Sequence, residues 1–176
     1  MNKFKIQEPI AVANFIIKYA QEHELSVSNL HLQKILYYLQ AAFLVKYDGN
    51  PLINASFSRW SYGPVVPDVY NAFRENGSSS IQDLSPNISI QDGKWEIKAP
   101  ENIDISEFDK ESQELLVNTI DTLLKENPWN LVNRTHEQSL WYDYKEDIER
   151  HLARDYSNAE IQKYFSENVG EQIWQA

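Results

Sequence analysis

The stretch from Ser28 to Tyr47 constrains this chain more than any other. Leu30, Leu32, Ile35, Leu36, Tyr37, Tyr38, Leu39, Phe43, Leu44 and Val45 put apolar side chains on nearly every face of a helix. A surface helix carries one apolar stripe, whereas a helix that is apolar all round has to be enclosed by other elements. The fold is therefore expected to grow around this segment, with Ser28 or Asn29 as its N-cap, Gly49 as a left-handed stop and Asn50-Pro51 barring continuation. A chain of 176 residues is long enough to enclose it, because a domain of that size buries roughly 70% of its extended surface.

The flanking segments supply the shell. Val12, Phe15, Ile16 and Tyr19 recur at helical spacing behind Pro9, which predicts an amphipathic helix from Pro9 to Glu24. Residues 52–62 have no sustained period and read as a packed connection or short extended pieces. Gly63-Pro64-Val65-Val66-Pro67-Asp68 then leads into a short helix ending at Gly77, with Asp68 near its positive end. Ile88, Ile90, Trp95 and Ile97 alternate about Asp92-Gly93, a type I′ turn signal, and the register pairs Ile90 with Trp95 and Ile88 with Ile97. Those four side chains share one face, expected to lie half-buried over the helical core. Ser106 and Asp109 predict a capped helix to about Glu126, Asn127-Pro128 a second start, and Ser157 with Glu160 a capping box for the last helix. The expected architecture is mainly α: a single compact domain over residues 1–176, with about six or seven helices around a buried central helix and one small β-hairpin at about 88–97.

Charge excludes several classes of function. The formal net charge is −10, a repulsive field for phosphates, which argues against a nucleic-acid or anionic-membrane binder. The least acidic part, residues 1–60, offers only the scattered Lys3, Lys5, Lys18, Lys34, Lys46 and Arg59, too dispersed for a recognition helix of a transcriptional regulator. Much of the acid gathers between Glu101 and Glu126, where the dipole of the expected helix favours it. Most of that acid is expected to be a solvated face; read as a docking face, it calls for a basic partner. The chain has no cysteine, so disulfides, thiolate catalysis and Cys-ligated metals are excluded, and the composition suits a reducing cytoplasm. No run approaches the ~20 apolar residues of a membrane helix. The apolar stretch Ile10 to Ile17 is too interrupted, by Asn14 and the preceding Glu8 and Pro9, to be expected as a secretory leader.

Catalytic patterns are sparse. There is no H-E-x-x-H, no phosphate-cradling glycine loop and no G-x-S-x-G, so neither a cofactor nor an enzymatic activity is expected. Asp147, His151 and Asp155 recur every fourth residue and on a helix would line one face, the one arrangement open to a metal-dependent hydrolase; an exposed charged helix produces the same spacing. Thr135 stands beside His136, but neighbours on a helix point roughly 100° apart and make a poor nucleophile–base pair. His136 is expected to bury its ring between Trp129 and Trp141. The surplus that remains is aromatic: 5 Trp, 10 Tyr and 7 Phe. Trp60, Tyr62, Tyr70, Trp129 and Trp141 lie at segment ends and connections, and protein interfaces are enriched in such residues.

Three ordered strings, Leu32-Gln33-Lys34-Ile35-Leu36-Tyr37-Tyr38, Gly49-Asn50-Pro51-Leu52 and Arg59-Trp60-Ser61-Tyr62-Gly63-Pro64-Val65-Val66-Pro67-Asp68-Val69-Tyr70, resemble the Panacea domain of the SocA-like antitoxins, often labelled phage-associated. Thr135-His136-Glu137-Gln138-Ser139-Leu140-Trp141 is similar to that family's T-H-x-x-x-P-W element, with Leu140 in place of the proline, and Ile161 to Phe165 to its closing I-x-x-Y-F. The resemblance implies a helical bacterial or prophage antitoxin that binds a cognate toxin encoded beside it. Family members are paired with toxins of several unrelated kinds, and neutralisation proceeds by direct masking or by delivery to a protease. The segments it marks give the partner-binding candidates: Trp60, Tyr62, Pro64, Val66, Pro67, Asp68 and Tyr70, with His136 and Trp141. Pro64 and Pro67 stiffen their connection, so aromatics presented there cost little ordering on binding. The same string has a second reading, in which it locks this connection onto the central helix.

Overall fold

The computed structural model describes residues 3–175. Among them are eight α-helices: α1 Pro9–Glu22, α2 Asn29–Lys46, α3 Pro67–Phe73, α4 Lys110–Leu124, α5 Pro128–Glu137, α6 Ser139–Tyr142, α7 Lys145–Glu149 and α8 Asn158–Glu167. Two antiparallel ribbons accompany them: β1 Ser58–Trp60 with β2 Gly63–Val65, and β3 Asn87–Gln91 with β4 Lys94–Lys98. The fold is mainly α, as expected. The helix count exceeds six or seven because the chain from Pro128 to Glu149 breaks into α5, α6 and α7 instead of running on.

α2 is the axis, with fifteen of its eighteen residues buried. Ser28 caps it by accepting from the His31 amide, and Gly49 follows its end at φ +87°. Enclosure raises a problem for its polar side chains, since an unpaired polar group in a core costs several kcal/mol. Each is answered by a backbone atom or side chain of a surrounding segment. Asn29 donates to the Tyr70 carbonyl, His31 Nε2 bonds the Leu123 carbonyl at 2.8 Å, and Gln33 Oε1 accepts from the Val66 amide at 2.9 Å. Lys34 Nζ donates to the Pro64 carbonyl at 3.0 Å, and Gln40 both donates to the Ile53 carbonyl and accepts from its amide. Tyr37 donates to Gln138, which in turn donates to Tyr38. The central helix thus joins itself to the surrounding segments through its own polar residues, while Phe4, Phe57, Phe108, Leu116, Ile120, Phe165 and Trp174 close the apolar shell around it.

One helix start and one orientation differ from the sequence expectation. Asp109, not Ser106, caps α4, accepting from the Ser112 amide; Ser106 lies in a separate single turn capped by Asp104. Between them Phe108 is extended and buried, which breaks the helix there. The β3–β4 register is as expected, Ile90 opposite Trp95 and Ile88 opposite Ile97, with Asp92 and Gly93 both at positive φ. Its orientation is reversed. Ile88, Ile90, Trp95 and Ile97 are 54–75% exposed, and the half-buried residues of β3 are Asn87 and Ser89. The ribbon does not lay its apolar face on the core.

The acidic segment is largely engaged within the chain. Glu111 receives both Lys46 at 2.7 Å and Lys3 at 2.9 Å, which hold its carboxyl down at about 2. Asp121 pairs with Lys125, and Asp104 and Asp109 are spent as caps. No helix among the described residues is long and apolar enough to cross a membrane.

Candidate interaction surface

The region marked by Trp60 to Tyr70 is a ribbon welded to the helical body. Gly63 sits at φ +98° in the turn, and a Cβ there would stand 2.5 Å from Thr135 Oγ1 and 3.2 Å from Lys34 Cε. Only glycine allows α2, α5 and the ribbon to close on one point. Burial pushes the Lys34 ammonium down to about 7, since an enclosed charge with one carbonyl partner is poorly compensated.

Arg59 fastens the other side of the ribbon. Its Nε donates to the Leu140 carbonyl at 2.7 Å, and its Nη1 to those of Arg154 and Asp155 at 2.8 and 2.9 Å. Nη2 reaches Glu160 at 3.3 Å, while the rings of Tyr144 and Tyr156 sandwich the guanidinium at 3.8 and 4.2 Å. Glu160 is also the third residue of the α8 capping box, so one carboxylate couples the helix start to the ribbon. In the sequence Arg59 stands as one of several scattered bases. Its place inside the Arg59-to-Tyr70 string is the one local signal, because its partners lie some eighty to a hundred residues away.

The nine candidate residues divide by exposure. Trp60, Tyr62, Asp68 and Tyr70 reach solvent; Pro67 and His136 are half-buried; Pro64, Val66 and Trp141 are buried. Trp141 Nε1 donates to the Trp60 carbonyl, and its ring stacks on His136 with centroids 3.9 Å apart, so both brace the ribbon from beneath. Burial holds the His136 imidazole below its ordinary range, against an opposing pull from the Ser61 backbone. Trp129 does not join that stack. It packs edge-to-face on Tyr62 at 5.4 Å, and Trp60 does the same on Tyr70 at 4.9 Å. Four half-exposed rings in two pairs thus crown the ribbon. Pro67 begins α3 and Asp68 stands in its first turn, as expected.

The spacing of Asp147, His151 and Asp155 does not produce one helical face. α7 ends at Glu149, and His151 turns the chain at φ +58°. Among the described residues no group of three or more His, Cys, Asp or Glu is placed to hold a metal ion.

A helical body whose central helix anchors a proline-stiffened ribbon at Gly63-Pro64, with Thr135-His136 beneath it, is the frame on which the sequence comparisons converge. The family model "Antitoxin SocA-like, Panacea domain" matches residues 32–142, and the chain belongs to that family. The particular relative is Antitoxin SocA of Caulobacter vibrioides (strain NA1000 / CB15N), 40% identical over 90 residues that cover 51% of this chain and 47% of the relative. The chain thus aligns with about half the length of that curated relative. No solved structure matches.

Proposed function

We propose that this chain is an antitoxin that neutralises the product of a neighbouring reading frame by binding it directly, as a single folded unit inside the cell and without catalysis of its own. Membership of the SocA-like family and the printed name of the Caulobacter relative support the role. The observation that carries the mode of action is the pairing of a rigid base with an exposed crown. Trp60, Tyr62, Tyr70 and Trp129 remain 37–57% exposed, although the backbone that presents them is tied down by Arg59, Lys34, Gln33 and Trp141. Large aromatic side chains held in place before binding lose little entropy on docking, and they are the residue types that dominate interface energetics.

The test is paired expression. The neighbouring frame alone should arrest growth, co-expression with this chain should restore it, and the two proteins should copurify. A combined Trp60→Ala, Tyr62→Ala variant that still folds should lose both rescue and copurification. Toxin levels separate the two modes: masking leaves the toxin abundant, whereas delivery to a protease lowers it. A neighbour that is harmless when expressed alone removes the basis for the proposal, and rescue undiminished in the double variant moves the interface elsewhere.

A further inference from the structure

Beside the aromatic crown lies a cleft of about 580 Å³. The ribbon and α3 contribute Trp60, Tyr62 and Tyr70 to its wall; the end of α7 and the turn after it contribute Ile148, His151 and Asp155. Arg59 also borders the cleft, but its guanidinium is fully enclosed and its donors are committed to three backbone carbonyls and to Glu160, a carboxylate it shares with Arg154. Among the lining residues Asp155 supplies the only carboxylate. Its backbone carbonyl holds Arg59, while its side chain has no part in that joint.

We infer that this cleft is a socket for an arginine side chain of the protein partner; the inference rests on the reading of the crown as a docking surface and adds the chemistry of what enters it. Aromatic rings attract a cation over their faces, and the edge-to-face packing of Trp60 on Tyr70 sets two such rings at an angle instead of hiding one behind the other. A guanidinium is planar and weakly hydrated, so it stacks on rings and pairs with a carboxylate at once, while its aliphatic stem covers apolar wall such as Ile148. The charge of the whole chain, −10, draws basic surfaces toward the protein and discourages acidic ones, and Asp155 gives such a surface a carboxylate within the cleft.

The inference is tested on the full chain without any toxin. N-acetyl-L-arginine methylamide is titrated into 15N-labelled protein, with the citrulline and norleucine analogues as uncharged comparators. Arginine should shift the Trp60 indole N–H and the amides of Tyr62 and His151 saturably, binding about tenfold more tightly than citrulline. D155N, which keeps the backbone carbonyl, should weaken arginine about threefold and leave citrulline unchanged. W60A should abolish the shifts. Norleucine binding as well as arginine, D155N binding arginine unaltered, or shifts that map to another face would each overturn the socket. Arginine bound as described by a protein that fails the paired-expression test leaves the socket standing and removes the toxin reading; rescue without arginine binding does the reverse.

Discussion

The two ribbons of this protein have the same construction and opposite fates. Each is an antiparallel pair turned through a glycine at positive φ, and each carries a tryptophan. β1–β2 is nailed to the body at both edges, by Arg59 on one side and by Lys34 and Gln33 on the other. In β3–β4 all five residues of the second strand are exposed, and nothing stands within 4 Å of a Cβ built on Gly93. A ribbon of three-residue strands is rigid because of what lies under it, whereas a longer, better-patterned one rests on the body only along Asn87 and Ser89 of one strand and leaves the other wholly in solvent. Pairing registers a hairpin; packing decides whether it can bear a load.

The sharpest break of this contrast comes from one substitution made in both turns. Gly63→Ala meets positive-φ strain and a collision with Thr135, and should cost about 4 kcal/mol in urea unfolding. Gly93→Ala meets the strain alone and should cost about 1 kcal/mol. Equal costs would mean that the close approach at Gly63 relaxes freely. Next in size, Arg59→Met should destabilise by about 3 kcal/mol, since three carbonyls and Glu160 lose their donor. A loss below about 1 kcal/mol in the same assay would show that the ribbon is held without it.

The third effect depends on pH. Lys34 has a native pKa of about 7 against 10.5 in the unfolded chain, so between those values the unfolded state binds more protons and stability rises with pH. From pH 7 to pH 9 the gain should be about 2 kcal/mol, flattening below 7. It should vanish in Lys34→Met, as read from denaturation midpoints. Tyr37, Tyr38 and Tyr156, raised by burial, reverse the trend once pH passes the ordinary tyrosine value, which confines the window to pH below about 10. The smallest effect belongs to the free ribbon. Trp95→Ser with Ile97→Thr should change stability by less than about 0.5 kcal/mol, the range of exposed positions. A loss above about 1.5 kcal/mol would place that face against the core after all.

These differences also mark where local sequence stops being informative. The enclosed α2, the caps at Ser28, Asn127 and Ser157, and the Ile90–Trp95 register are properties of neighbouring residues, and each was legible. Alternation in β3–β4 says which side chains share a face; which face turns inward depends on what is near, and here the apolar face turns outward. The β1–β2 pairing escaped notice because its strands are short and one holds Pro64. The helix expected from Ser106 failed because Phe108 is drawn into the core from an extended backbone, a tertiary preference overriding a capping signal. In the candidate surface, residue type alone points to Trp60, Tyr62 and Tyr70, whereas the place of Arg59 depends on carbonyls contributed by distant segments.

The polar contacts of α2 have one further property. Asn29, His31, Gln33, Lys34 and Gln40 engage the carbonyls of Tyr70, Leu123, Pro64 and Ile53 and the amides of Val66 and Ile53, and Gln40 adds one side-chain partner, Asn158 Oδ1 at 3.3 Å. A joint made to the main chain is indifferent to what the residue displays outward, apart from positions such as Gly63 where space is short. The axis therefore works as a chuck that grips any segment of the right shape, so the outward side chains can change while the grip stays the same.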